Sequence, residues 1–141
     1  MTEIVTMKLG PRRELGWFED LPEGGTRHLV GWDPNMEGNF EEIWRSGNSW
    51  WRLEPGRAVR CDLGIILTPD NVVACVAKIN GIIKRDDMRM GFIGKPIHGD
   101  YDNWIGKTLE RNDSKNPIAY FDERAILPPS KVTKDIVRLN R

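Results

Sequence analysis

Two histidines, His28 and His98, are the only imidazoles in the chain, and neither stands at a metal-ligand spacing from Cys61, Cys75 or a carboxylate. No structural zinc site is expected. His98 lies in Lys95-Pro-Ile-His-Gly-Asp-Tyr-Asp102, where Asp100 and Asp102 could orient an imidazole for general-base work. With no nucleophile paired to it in sequence, a solvated loop histidine is the expectation. Asp86-Asp87, flanked by Lys84, Arg85 and Arg89, has the residue types of a metal-dependent nuclease cluster. Such a cluster needs a further carboxylate, Glu54, Asp62 or Asp70, to converge from elsewhere, whereas adjacent aspartates need nothing more than a turn. Gly91-Phe-Ile-Gly94-Lys95 and Gly106-Lys107-Thr108 each carry part of a phosphate-cradling loop. Pro96 stands where the first needs Ser or Thr, and Tyr101 where the second needs its opening glycine, so neither binds a nucleoside triphosphate in that way. No cofactor is implied.

Recognition is the chemistry left. Arg52, Arg57, Arg60, Lys78, Lys84, Arg85, Arg89 and Lys95 are spread over residues 50–95 among apolar runs of strand character. Residues two apart on a strand share a face, so Lys78, Asn80 and Ile82 take one side and Ala77, Ile79 and Gly81 the other. Cations on a solvated sheet face contact phosphates, and Trp50, Trp51, Phe92 or Trp104 could stack a base. The competing expectation is that the cations only solvate a sheet while the tryptophans fill the core.

A chain of 141 residues is the common size of one domain. Its 39% hydrophobic and 30% charged residues include six tryptophans, which a disordered chain would lack. The formal net charge is zero, so a globally basic nucleic-acid or membrane binder is excluded. The balance is uneven, however: residues 1–50 carry five Lys/Arg against nine Asp/Glu, residues 51–95 eight against five. The basic face therefore belongs to the centre of the chain. Cys61 and Cys75 fall in apolar, strand-like sequence and read as buried free thiols. The N-terminus has no apolar signal core and no run is long enough to span a membrane, which suggests the cytosol, or that of a host cell for a viral protein.

The elements that must position these residues follow from pattern. Residues 1–49 read as an irregular part with strands near Ile4–Leu9 and Thr26–Gly31 and a short helix over 40–46, capped by Asn39 with Glu42 three residues on. Residues 50–95 read as a β-meander: a strand-like run from Arg57, a turn at Thr68-Pro-Asp-Asn71, a run from Val72, a turn at Asp86-Asp87 and a third strand in which Gly91 and Gly94 mark bulges or close backbone approach. Residues 96–141 read as a long loop pinned by Trp104, a returning strand at Ile118–Phe121, and a C-terminal helix capped by Ser130 with Val132, Ile136 and Leu139 on one face. The class is mainly β with small helical additions: a small curved barrel or a strongly twisted antiparallel sheet.

Arg52-Leu-Glu-Pro-Gly-Arg-Ala-Val-Arg60, followed by strands ending in Val72-Val-Ala-Cys-Val-Ala-Lys-Ile-Asn-Gly-Ile, resembles part of the PUA-like superfamily of EVE, ASCH and SRA-type domains over about residues 50–95. The resemblance implies a small β-barrel that binds RNA or modified bases in DNA, a flipped or single-stranded base being held between Trp50, Trp51 and Phe92 with Arg52, Arg89 and Lys95 on phosphate. Arg57 stands where such domains usually carry aspartate, so no polar role transfers there. The expectation is a non-enzymatic binding module for nucleic acid, a modified base or a nucleotide, using Trp50, Trp51, Arg52, Arg57, Lys84, Arg85, Arg89, Phe92, Lys95 and Trp104. The alternatives are a protein-interaction factor with an exposed tryptophan patch, of phage or host-defence type, and a metal-dependent nuclease using Asp86 and Asp87.

Overall fold

A computed structural model describes residues 3–110, 116–122 and 136–137. Its centre is a five-stranded mixed sheet built from β1 (Glu3–Lys8), β4 (Cys61–Leu67), β5 (Val73–Lys84), β6 (Met90–Pro96) and β8 (Ile118–Asp122), in the order β6-β5-β4-β1-β8. The meander β4–β5–β6 is antiparallel throughout, as the turn signals predict. Thr68 closes its first turn with Oγ1, which accepts from the N–H of Asp70 and Val72. β1 then pairs parallel with β4 and antiparallel with β8, so the sheet is open and mixed. The fold is mainly β, as expected, and the described strands do not close into a barrel.

Both faces of this sheet are buried. On one face Val5, Met7, Ile66, Cys75, Ala77 and Phe92 pack against Ile43 and Trp44 of α1 (Phe40–Gly47). Asn39 caps that helix as the sequence predicts, its side chain accepting from the Glu42 N–H. On the other face Ile4, Ile65, Leu67, Val73 and Val76 meet Trp104 and Leu109 from the loop that follows the meander. Near-continuous apolar strands with two covered faces explain the weak alternation in Gly64–Leu67 and Val73–Ala77.

Gly94 lies where a Cβ would collide with the Lys78 carbonyl, and a Cβ at Gly91 would meet Pro22 and Ser49 at 2.6 Å. Both glycines are there for close approach, as read from the sequence. Cys61 and Cys75 are buried free thiols, and burial pushes each up to about 12.

Three local expectations are corrected. Arg57 and Ala58 belong to a one-turn helix, α2 (Pro55–Ala58), and the strand starts at Cys61; Glu54 caps this turn by accepting from the N–H groups of Gly56 and Arg57, with Pro55 at the first helical position. Residues 13–20, which the flanking prolines and glycines make read as loop, form β2 (Arg13–Asp20), paired antiparallel with β3 (Thr26–Val30) in a separate hairpin. Ile136–Val137 is a short strand, β9, parallel to β7 (Thr108–Leu109), where a helix was expected; the rest of that expected helix, including Ser130, Val132 and Leu139, lies outside the described residues.

Candidate nucleic-acid interface

The β2–β3 hairpin leans over the loop at residues 49–51 and the β5–β6 turn, enclosing a cleft of about 570 Å³. Period two explains what β2 contributes. Arg13, Leu15, Trp17 and Glu19 all line the cleft. The intervening Glu14 and Phe18 face the other way and meet His28, Glu14 at 2.8 Å and the Phe18 ring edge-on at 5.3 Å. Between Glu14 and Glu19 the ladder breaks: four residues on β2 stand against one on β3, with Gly16 at φ +87° in the extra length. This bulge carries Trp17, 60% exposed, and Phe18, 73% exposed.

An alternating chain of charges fastens the hairpin. Arg27 of β3, buried, donates to Glu19 Oε1 through Nε and an NH2 proton, at 3.0 and 2.9 Å, and to the carbonyls of Arg45 and Ser49. The second oxygen of Glu19 accepts from Arg85 at 3.0 Å. Arg85 in turn holds both oxygens of Asp87, at 3.1 and 2.6 Å, and its guanidinium lies 4.8 Å from the centroid of the Trp50 ring. Burial lowers the Arg27 guanidinium from its ordinary value against the opposing Glu19 hydrogen bond. The Asp87 hydrogen bond raises Arg85, and the same bond holds the Asp87 carboxyl down at about 2. Two guanidinium groups and two carboxylates, of which Arg27, Arg85 and Glu19 line the cleft, thus neutralise one another.

Three other cations line the cleft with weaker pairing or none among the described residues. Lys8 and Arg13 form no ion pair with another described residue. Arg89 reaches Asp87 only at 3.9 Å and the Trp50 carbonyl at 3.4 Å. The cleft therefore keeps a positive excess beside an exposed indole.

Of the ten residues expected at the site, four line this cleft: Trp50, Trp51, Arg85 and Arg89. Trp50 is buried, with Nε1 donating to the Asp20 carbonyl and Arg85 across its ring, and Trp51 donates to Gly47. Both serve as wall more than as free stacking faces. Phe92 is fully buried under α1, and Trp104 is buried against the opposite face with Tyr101 at 4.9 Å, so neither meets a ligand. Trp104 keeps the pinning role instead. Arg57 is spent on Glu3 at 3.4 Å and on the Tyr120 ring at 4.9 Å. Arg52, Lys84 and Lys95 are exposed and lie outside the cleft's lining. The sequence reading missed Lys8, Arg13, Trp17, Glu19 and Arg27. The signal was present as alternation in Arg13-Glu-Leu-Gly-Trp-Phe-Glu-Asp20, hidden by Gly16 and by prolines at 11 and 22.

The chemical alternatives find less. Asp87 is committed to Arg85 and to the Arg89 N–H, while Asp86 is exposed at the turn. Among the described residues no group of three His, Cys, Asp or Glu could hold a metal. His98 packs on Phe40 at 5.1 Å, and Asp102 accepts from the Gly99 N–H. No helix among the described residues is long and apolar enough to cross a membrane. No protein-family model, curated protein or solved structure matches the chain.

Proposed function

We propose that this protein is a non-enzymatic module that binds nucleic acid, a modified base or a nucleotide in the cleft under the β2–β3 hairpin. The single observation that carries this reading is the lining itself: five cationic side chains, Lys8, Arg13, Arg27, Arg85 and Arg89, against one carboxylate, Glu19, beside Trp17. Its volume falls inside the range of about 300–1,000 Å³ common for small-ligand sites. The PUA-like resemblance of residues 50–95 implies the same ligand class and belongs to the same proposal. The test is fluorescence anisotropy of labelled single-stranded RNA, single-stranded DNA and duplex DNA with and without base modification, titrated at two salt concentrations. Binding that weakens with salt supports the reading, because phosphate contacts release counterions.

A second reading, a protein-interaction surface, is favoured by Phe18, which is 73% exposed on the far side of the hairpin from the cleft. Aromatic anchors are enriched among binding hot spots. Affinity for a partner protein would then depend on Phe18 and only modestly on salt. Trp50 and Trp104 are buried and supply no exposed tryptophan patch.

A further inference from the structure

We infer that the bulge of β2 is a stacking platform selective for unpaired bases, with Trp17 reading the ring face and Lys8, Arg13 and Arg89 following the backbone of a single strand. This inference rests on the nucleic-acid reading above and names its substrate class. Three observations carry it. Trp17 is the one cleft tryptophan whose ring is open: Trp50 is buried with Arg85 over its face, Trp51 is half-buried, and Trp17 is 60% exposed. Base faces are covered by neighbours inside a duplex, so a ring waiting at a cleft wall can stack only on a base outside a stack. The bulge is what puts it there, since four residues opposing one push Leu15–Phe18 out of the ladder, and Gly16 takes the left-handed turn this requires.

The cations argue for a strand over a free nucleotide. Lys8 ends β1, Arg13 begins β2 and Arg89 precedes β6, so the three reach the cleft from separate elements. A mononucleotide concentrates its charge on one phosphate group and would be held best by donors converging on one point. A single strand carries one charge per nucleotide and matches cations contributed singly by separate elements. The other cations of the lining, Arg27 and Arg85, already share Glu19 and Asp87 and hold the platform in place.

Phe18 supplies an internal control, being more exposed than Trp17 and turned to the other side of the same bulge. The experiment compares wild type, Trp17→Ala, Phe18→Ala and Arg13→Ala as full chains, by anisotropy of a short labelled single strand, the same sequence as a duplex, and competition by the free mononucleotide. The expected result is preference for the single strand, a loss of about tenfold or more in Trp17→Ala and less than about twofold in Phe18→Ala. In Trp17→Ala the salt slope stays at the wild-type value, and in Arg13→Ala it falls by about 0.7. Equal, salt-dependent binding of duplex and single strand that Trp17→Ala leaves unchanged would overturn the inference while leaving the nucleic-acid reading standing. A mononucleotide that competes as well as the strand would overturn the choice of a strand. Salt-independent or absent binding to every probe would sink the nucleic-acid reading itself, and the inference with it. Thermal unfolding of each variant controls for folding, and the exposure of all three side chains predicts little change.

Discussion

The β4–β5–β6 meander and the β2–β3 hairpin divide the work of this molecule in opposite ways. The meander has the stronger sequence signals, the basic excess and the deeper burial, yet its aromatic Phe92 is core and its exposed Lys84 and Lys95 lie away from the cleft. The hairpin belongs to the acidic end of the chain and is interrupted by a bulge, yet it supplies Arg13, Trp17, Glu19 and Arg27 to the cleft. The meander contributes the turn, Arg85 and Arg89, on which the hairpin rests. A well-packed sheet leaves its large side chains no freedom to meet a ligand, so the proposed recognition is assigned to the hairpin, the less buried of the two.

The sharpest way to break this division is Phe92→Ala. A fully buried phenylalanine between α1 and the sheet predicts a loss of about 3–5 kcal/mol in chemical denaturation. A stable variant with weakened oligonucleotide binding would return Phe92 to the ligand side. Arg27→Ala comes next, with an expected cost of about 3 kcal/mol, because it removes the buried partner of Glu19 and leaves the carbonyls of Arg45 and Ser49 without their donor. Comparing its denaturation midpoint with that of Arg27→Lys separates loss of charge from loss of the planar fork. An unchanged midpoint in Arg27→Ala would show that the hairpin stands without its ion chain.

A milder test uses pH. Asp87 has its folded value depressed to about 2 by the Arg85 hydrogen bond, so its contribution is present above the unfolded value of about 3.9 and is lost as pH falls from there toward 2. Stability attributable to this group is therefore flat between about pH 5 and 7, and Asp87→Asn should be less stable than wild type in that range, with the difference shrinking as pH falls toward 2. Smallest of all, Lys95→Ala should move stability by less than about 0.5 kcal/mol and leave the oligonucleotide salt slope where it was, because Lys95 is exposed outside the cleft beside Lys78 on the neighbouring strand.

Much of the fold could be read in advance, and for physical reasons. The Thr68–Asn71 turn, the capped helix at 40–47, the strand at 118–122 and the two glycine close approaches each depend on a few neighbouring residues. Parallel pairing of β1 with β4 joins segments more than 50 residues apart and leaves no local trace. Glu54-Pro-Gly reads as a turn before a strand because a single helical turn uses the same residues. The site was half legible: the basic stretch was visible, but which cations are neutralised depends on Glu19 and Asp87, one of them 66 residues from its partner. Burial decided the aromatics, and the buried Trp50 and Trp104 differ from the exposed Trp17 in nothing that composition records.

The most direct measurement of the central claim is the salt dependence of wild-type binding to a labelled single-stranded oligonucleotide between about 50 and 200 mM salt. Lys8 and Arg13, which pair with no described carboxylate, and Arg89, which reaches Asp87 only at 3.9 Å, predict that log K falls linearly with log salt at a slope of about −2. A slope near zero, or no binding at the lower salt, would contradict a nucleic-acid cleft beneath the hairpin.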